Sequence, residues 1–224
     1  MENRLQDLYN NEKFNLYYEF LVSENEKYNL TNITLKEDVY IKHFLDSLSL
    51  EKICDLSKDI SMCDVGSGAG FPSVPLKIMY PNIKLTIIEP TLKRCNFLKQ
   101  LFEKLGITDV EVINDRAENI KNMKFDIVTA RAVSNLPMLL ELCLPLTKVK
   151  GRFVALKGSN YKEELVNSNN ALKVLNGKVF NVKEYTLLND VEKYGIHSLI
   201  EIIKEKENSS IYPRSYSLIK KKPL

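Results

Sequence analysis

Hydrophobic positions in the first quarter of the chain recur at helical spacing. In LYYEFL (16–21), apolar residues fall at i, i+1, i+4 and i+5, which places them on one face of a helix. The polar segment NLTNIT (29–34) interrupts this pattern. It predicts a break between two helices, with Asn32 or Thr34 as the N-cap of the second. The pattern therefore predicts a helical extension over residues 1–57.

Beyond residue 57, short runs of strand-forming residues alternate with helical stretches. The predicted strands are 60–65, 84–89, 110–114, 125–130, 151–157 and 199–204. The predicted helices between them are 74–80, 92–105, 136–146 and 161–175. Such alternation predicts an α/β fold, with a mostly parallel sheet and helices on both of its faces.

The end of the chain departs from this alternation. VFNVKEYTLL (179–188) and HSLIEIIK (197–204) follow each other with no helical pattern between them, which predicts an antiparallel strand at the edge or end of the sheet. The final segment, SSIYPRSYSLIKKKPL (209–224), has no periodicity and predicts irregular structure.

Composition narrows the class of protein. The 224 residues are 44% hydrophobic and 27% charged, a balance typical of globular domains. No apolar stretch is long enough to cross a bilayer, and the N-terminal MENRLQDLYNNEKF has no signal-like region, so we expect a cytoplasmic protein. The cysteines lack metal-site spacing and are predicted to be buried and reduced: Cys54, Cys63, Cys95 and Cys143.

Positive charge is concentrated at the C-terminus. The whole chain carries +3, whereas residues 204–224 alone carry +4. A basic tail from about residue 205 favours a polyanionic partner, because Lys and Arg side chains near phosphates release condensed counterions. A mobile, solubilising tail is the alternative interpretation.

The strongest chemical signal is the stretch CDVGSGAGFP (63–72), which directly follows the first predicted strand. Open α/β sheets bind ligands at the carboxyl ends of their strands. Glycines there allow positive φ and close approach of the backbone to a ligand. The next predicted strand ends in Glu89, whose carboxylate can accept hydrogen bonds from both hydroxyls of a ribose. The spacing therefore predicts a ligand that carries a ribose.

Two ribose-containing ligands compete for this turn. A dinucleotide fingerprint requires GxGxxG, but the third glycine position is occupied by Phe71. Asp64 precedes the turn and would repel a pyrophosphate, whereas it suits the cationic sulfonium and ammonium groups of S-adenosylmethionine. The turn therefore favours S-adenosylmethionine, and a tight turn selected for packing alone is the alternative.

Further stretches match one family in order and spacing. They are YNLTNI (28–33), HFLDSL (43–48), DVGSGAGFP (64–72), KRCNFLK (93–99), DRAE (115–118), ARAV (130–133), ALKG (155–158) and YPR…KKPL (212–224). On these residues the chain resembles the bacterial 16S rRNA guanine-N7 methyltransferases, historically called glucose-inhibited division protein B. The resemblance spans nearly the whole chain, and together the stretches are far more specific than the glycine turn.

The resemblance implies a fold, an activity and partners. The fold is the class I S-adenosylmethionine-dependent methyltransferase fold, a Rossmann-like, mostly parallel seven-stranded sheet over residues 58–224, with the N-terminal helical extension packed on it. The implied activity is methylation of N7 of one guanine in the helix 18 (530) loop of 16S rRNA. The implied partner is 16S rRNA, the small ribosomal subunit or an assembly intermediate, with no DNA, membrane or metal, and the protein is expected to be a monomer.

The family resemblance and the glycine turn together predict which residues form the site. The expected cofactor contacts are Asp64, Gly66, Gly68, Gly70, Phe71, Glu89, Ala117, Glu118 and Arg131. The basic catalytic positions carry over onto Lys93, Arg116, Arg131 and Lys157. The tail residues expected to clamp rRNA by stacking and phosphate contact are Tyr212, Arg214, Lys220, Lys221 and Lys222.

Several of these residues have a competing structural interpretation. We expect Arg131 to orient the base or a flanking phosphate, whereas structural pairing with Asp126 or Asp64 is the alternative. Arg116, Lys93 and Lys157 are expected to anchor phosphates or to brace the rim of the cofactor site. His43 and Asp46, one helical turn apart, are predicted to be a hydrogen-bonded helix–sheet packing pair, with a catalytic role as the alternative.

The chain departs from the family pattern at two positions. Ser73 stands where the family commonly has glycine, a change expected to cost nothing essential. His197 stands near the start of the last strand, where the family usually has arginine. With a reference pKa near 6.5, a histidine there is expected to be only partly charged near neutral pH.

Three alternative functions remain open on the sequence. They are a nucleotide-dependent oxidoreductase on a similar sheet, a non-catalytic RNA-binding module, and a methyltransferase that acts on a small molecule. The basic tail argues weakly against the last.

Overall fold

The structure, a computed structural model, describes residues 2–224. The N-terminal extension is helical, as predicted: α1 (Glu2–Asn10), α2 (Glu12–Tyr28) and α3 (Lys36–Val39), followed by a π-helical turn at Tyr40–Leu45 and a 3₁₀ turn at Leu48–Lys52. The predicted N-cap is wrong, because α3 begins after Leu35, which makes no side-chain capping bond. The break is instead closed by Asn25, whose Oδ1 accepts hydrogen bonds from the backbone N–H groups of Leu30 and Thr31.

The sheet has seven strands. They are β1 (Ser61–Val65), β2 (Lys84–Ile88), β3 (Val110–Ile113), β4 (Phe125–Arg131), β5 (Thr147–Lys157), β6 (Gly177–Tyr185) and β7 (His197–Lys204). Their order across the sheet is β3-β2-β1-β4-β5-β7-β6. The neighbours from β3 to β5 pair in parallel, and β7 pairs antiparallel to both β5 and β6. The antiparallel strand predicted near the edge of the sheet is therefore confirmed.

Helices cover both faces of the sheet, as predicted. They are α4 (Ser73–Met79), α5 (Leu92–Leu105), α6 (Leu136–Cys143), α7 (Tyr161–Asn167), α8 (Asn169–Val174), α9 (Val191–Tyr194) and α10 (Tyr216–Lys221). Successive strand residues point to opposite faces, so Met62 joins one hydrophobic cluster and Cys63 the other. The first cluster packs the N-terminal helices, α4 and α5 onto the sheet, and the second packs α6 and α8. The extension and the sheet thus share one core.

Three predicted element boundaries are corrected. The helix predicted over 136–146 ends at Cys143, before a 3₁₀ turn that contains Pro145, which cannot donate the backbone hydrogen bond of a continuing helix. The helix predicted over 161–175 is divided at Ser168 into α7 and α8. The tail predicted to be irregular contains α10. No helix in the described range, 2–224, combines the length and hydrophobicity needed to span a membrane.

Candidate active site

The glycine turn lies between β1 and α4, at the carboxyl edge of the sheet. Gly66, Gly68 and Gly70 have φ of +73°, +62° and +104°, a region that side-chain-bearing residues rarely adopt. A Cβ added to Gly70 would lie 2.6 Å from Val74 Cγ2 and 2.7 Å from the Tyr17 hydroxyl. A Cβ added to Gly68 would meet nothing within 4 Å. Gly70 is therefore required for packing, whereas Gly68 has open space on the side where a Cβ would lie.

Glu89 follows β2 and reaches back to this turn. Its carboxylate is 1% exposed. Oε2 accepts a hydrogen bond from the Gly68 N–H at 3.0 Å, and Oε1 accepts one from the Thr91 N–H at 2.9 Å. Because an ionised carboxylate offers about four acceptor positions, Glu89 retains capacity for two hydroxyl donors such as those of a ribose.

A cavity of about 220 Å³ opens beside the turn and Glu89. It is bounded by the ends of β1 and β2, the 3₁₀ turn Ala117–Asn119, α6 and α10. Its lining includes Gly66, Glu89, Arg116, Ala117, Glu118 and Tyr216. Of the residues nominated from the sequence, the structure brings five to this cavity, and it adds Tyr216, which no sequence pattern connects with the cofactor.

Asp64 is the residue expected to face the cationic groups of the ligand. Its carboxylate is fully buried, and burial raises its pKa to about 6 although hydrogen bonds from Ser73 and Ser67 oppose the rise. Oδ2 accepts a hydrogen bond from the Ser73 hydroxyl at 2.6 Å, while Oδ1 has no partner among residues 2–224. Ser73, at the position where the family commonly has glycine, supplies the hydrogen bond to Oδ2. Asp64 lines neither this cavity nor the larger one that adjoins it, so this carboxylate lies behind the turn. The fit to S-adenosylmethionine rests instead on Glu89, which lines the first cavity and keeps acceptor capacity for the ribose hydroxyls.

A second cavity, of about 540 Å³, adjoins the first. Its polar lining includes Lys42, His43, Asp46, Arg131, Lys157 and His197. Ala132, with a left-handed φ of +55°, lines both cavities. The two cavities therefore meet at the chain just after β4.

Arg131, at the end of β4, is held by the N-terminal extension. Its Nη1 donates to Asp46 Oδ2 at 2.9 Å and to the Lys42 carbonyl at 3.2 Å, and its Nη2 donates to His43 Nδ1 at 3.1 Å. Structural pairing with Asp126 or Asp64 is therefore wrong. A guanidinium has five N–H groups, and the two others bond to no residue within 2–224. Arg131 is fixed in orientation with two donors to spare.

His43 remains neutral in this environment. Burial and the Arg131 charge lower its pKa to about 3. Because Nδ1 accepts from Arg131, Nε2 carries the proton and donates to Thr31 Oγ1 at 2.9 Å. His43 and Asp46 thus join the extension to the sheet through hydrogen bonds to Arg131, in agreement with the predicted hydrogen-bonded packing pair.

Phe71 packs against the extension. Its buried ring stacks on His43 with centroids 4.4 Å apart and on Tyr17 at 5.5 Å, and the Arg131 guanidinium lies 5.0 Å from its centroid. Tyr17 in turn donates to the Ala69 carbonyl within the glycine turn at 2.6 Å. Phe71 therefore supports the turn from behind, a different position from the direct cofactor contact expected.

Asp46 is the centre of a buried polar network. Besides Arg131, its carboxylate accepts from the Tyr185 hydroxyl at 2.7 Å and from His197 Nδ1 at 3.2 Å. Burial acts to raise the pKa of Asp46, but the hydrogen bonds and charges of these three partners outweigh it and hold the pKa below its ordinary value. Burial beside this anion also raises the pKa of Tyr185, which stays protonated.

His197 is more basic than expected. Nδ1 faces the Asp46 carboxylate and Nε2 lies 3.0 Å from the Tyr194 carbonyl, so both ring nitrogens meet acceptors. The hydrogen bond to Asp46 raises the pKa of His197, against the opposing effect of burial. His197 therefore binds a proton more tightly than a free imidazole does, and it lies in the lining of the second cavity.

We expect His197 to make protein stability pH-dependent. A pKa that is higher in the folded state contributes stability fully below the unfolded value, near 6.5, and loses it as pH rises through the folded pKa. The gap in unfolding free energy between wild type and His197→Gln should therefore be larger at about pH 6 than at about pH 9 in urea titrations. An equal gap at both pH values would show that folding does not raise the pKa of His197.

The two lysines expected in the site, Lys157 and Lys93, lie in different parts of the structure. Lys157 lies in the second cavity, where its Nζ is 2.6 Å from Glu164 Oε2 and donates to the Ser134 carbonyl. Lys93 is exposed on α5, and its neighbour Arg94 lines the first cavity, 4.0 Å from Glu89. The structure thus separates Lys93 from the other nominated residues, and Arg94 was missed.

Three features define a class I S-adenosylmethionine-dependent methyltransferase. They are the order of the strands in the sheet, the glycine turn after β1 and the acidic residue Glu89 after β2. The fold is shared with M. jannaschii TYW2 in complex with AdoMet (TM-score 0.57, 14% identity, 72% of this chain and 76% of that one). It is also shared with a mutant of MtNAS in complex with S-adenosylmethionine (TM-score 0.60, 14% identity, 86% of this chain and 74% of that one).

Proteins with higher sequence identity to this chain than these two structures show which family it belongs to. The family model of rRNA small subunit methyltransferase G, GidB, matches residues 10–190. Ribosomal RNA small subunit methyltransferase G of Geobacillus kaustophilus is 45% identical over 217 residues, covering 95% of this chain and 90% of the relative. The Staphylococcus epidermidis protein of that name is 46% identical over 217 residues, with the same coverage. The chain belongs to the GidB family and is an S-adenosylmethionine-dependent methyltransferase, so the oxidoreductase alternative is rejected.

Proposed function

We propose that this enzyme methylates N7 of one guanine in the helix 18 loop of 16S rRNA, acting as a cytoplasmic monomer on the rRNA or on a small-subunit particle. Relatives named for small-subunit rRNA support an RNA substrate. The observation that carries the proposal is the basic second cavity, which meets the cofactor cavity at Ala132 and contains Arg131 with two unused donors.

The arrangement suits a reaction that requires no general base. Guanine N7 has a free lone pair and no proton to lose. When bound, S-adenosylmethionine supplies the electrophilic methyl group. The contribution of the chain is to position the reactants, which alone accounts for a large part of many catalysed rates. Gly66 and Glu89, which line the first cavity, would hold the cofactor, and Arg131 would orient the base.

The charges around Arg131 also fit this chemistry. Guanine presents O6 and N7 as acceptors, and arginine is a natural donor to O6. Methylation makes the base cationic, so an unpaired cation close to N7 would oppose it. Asp46 offsets the charge of Arg131, and neutral His43 adds none. Lys42, Lys157 and Lys193, which also line the cavity, would attract the flanking phosphates.

A deletion strain tests the substrate. Reduction and aniline treatment cleave RNA at N7-methylguanosine, so primer extension on wild-type 16S rRNA should stop at one guanine in the helix 18 loop. In the deletion strain this stop should vanish and should return when the wild-type gene is supplied. A stop that persists without the gene would show that the substrate is a different one.

Glu89→Ala tests the proposed ribose contact. Losing buried hydrogen bonds to a ligand costs about 1–3 kcal/mol, so the Kd for S-adenosylhomocysteine should rise roughly 5- to 150-fold. Calorimetry measures this directly, with Lys93→Ala as the control at an exposed position near the same strand end. An unchanged affinity in the Glu89 variant would remove this carboxylate from the site.

A further inference from the structure

The C-terminal segment is fixed to the domain by a buried ion pair. Glu141, on α6, is fully buried. Its Oε1 accepts from the backbone N–H of Arg214 at 3.0 Å and from Arg214 Nε at 2.7 Å, and its Oε2 accepts from Nη2 at 2.6 Å. Bidentate pairs of this kind combine charge with defined geometry. The Arg214 guanidinium is thus engaged within the chain, in contrast to the expected phosphate contact.

Apolar packing continues this attachment along α10. Ile219 is fully buried in the core on the α6 face of the sheet, and Tyr212, Tyr216 and Leu224 pack against the same cluster. Lys220, Lys221 and Lys222 remain exposed. The segment therefore has a packed side and a basic outer side.

The packed side reaches the cofactor cavity. Tyr216 lines the 220 Å³ cavity, and the Arg116 guanidinium lies 4.5 Å from the centroid of its ring. Arg116 directly precedes Ala117 and Glu118, which line the same cavity. A residue close to the C-terminal end of the chain thus forms part of the wall of this cavity.

We infer that residues 212–221 form part of the S-adenosylmethionine site, with Tyr216 as a wall against the adenosine. Arg214 and Ile219 are positioning residues that hold the ring in place. An aromatic wall contacts a nucleoside through its apolar faces, and aromatic contacts of this kind typically change affinity by an order of magnitude. The inference rests on the cofactor site, and not on the identity of the RNA substrate.

Binding of S-adenosylhomocysteine to the full-length protein tests this inference. Tyr216→Ala should raise the Kd about 10-fold or more by calorimetry, while Tyr216→Phe should stay close to wild type. Leu218→Ala is the matched control, because Leu218 lies on the same helix and is 43% exposed. Wild-type affinity in Tyr216→Ala, or equal losses in the Tyr216 and Leu218 variants, would overturn the inference.

Fluorescence gives a second measurement that does not depend on large losses of affinity. The chain contains no tryptophan, so Tyr216→Trp introduces a single reporter at the cavity wall. Its emission should shift when S-adenosylhomocysteine is added, whereas that of Leu218→Trp should not. An unchanged Tyr216→Trp spectrum in a protein that still binds the ligand would also contradict the inference. Failure of wild type itself to bind would instead reject the cofactor site, independently of the tail.

Discussion

Replacing Arg131 with alanine is expected to lower kcat/KM for rRNA methylation about 10²- to 10³-fold, the usual effect of removing one preorganised donor from an active site. Arg131 is fixed by Asp46, His43 and the Lys42 carbonyl, and its two remaining donors point to no other described residue. The measurement is transfer of a radiolabelled methyl group from S-adenosylmethionine to small-subunit rRNA under single-turnover conditions.

Two comparisons separate the possible roles of Arg131. Arg131→Lys keeps the charge but cannot reproduce the planar fork of donors, so it should recover little activity. The Kd for S-adenosylhomocysteine, measured on the same proteins, should change much less than the rate if Arg131 acts on the base. A rate close to that of wild type would exclude Arg131 from the reaction, and a matching loss of affinity would assign it to the cofactor.

Replacing Asp46 with alanine is expected to have the largest effect on stability. Removing one partner of a buried ion pair typically costs about 3–5 kcal/mol, because the other charge is left without compensation. Asp46 is 4% exposed. Its carboxylate balances the charge of Arg131 and accepts hydrogen bonds from His197 and from the Tyr185 hydroxyl. The midpoint of urea denaturation should fall accordingly, and activity should fall with the orientation of Arg131.

Asp126→Ala is the matched control for this prediction. Asp126 also forms an ion pair, with Lys148 at 2.8 Å, but both side chains are more than 40% exposed. Exposed pairs contribute about 0–1 kcal/mol, and each of the two hydrogen bonds that Asp126 accepts from Ser61 adds about 1 kcal/mol. This variant should therefore lose less stability than Asp46→Ala. If Asp46→Ala lost no more stability than Asp126→Ala, the polar network would not be the structural support described for Arg131.

The sequence correctly predicted the features that depend on residues close together in the chain. Alternating strand and helix patterns predicted the sheet and its two covered faces, because side-chain period depends only on neighbouring residues. The glycine turn and Glu89 lie at the ends of adjacent strands, so their meeting followed from the parallel topology.

The features that sequence missed depend on contacts between distant elements. Asp46 and Arg131 are 85 positions apart, and they meet only because the extension packs across the carboxyl edge of the sheet. Tyr216 reaches Arg116 because Glu141 anchors Arg214 on α6. No local pattern encodes either contact, so the sequence predicted a hydrogen-bonded packing pair without its partner Arg131, and an irregular tail in place of α10.

A crystal structure of the protein soaked with S-adenosylhomocysteine tests the central claim most directly. We predict that the nucleoside occupies the 220 Å³ cavity beside Gly66 and Gly68, with both ribose hydroxyls donating to the Glu89 carboxylate. Density for the ligand at another position, or a ribose without contact to Glu89, would contradict the proposed site.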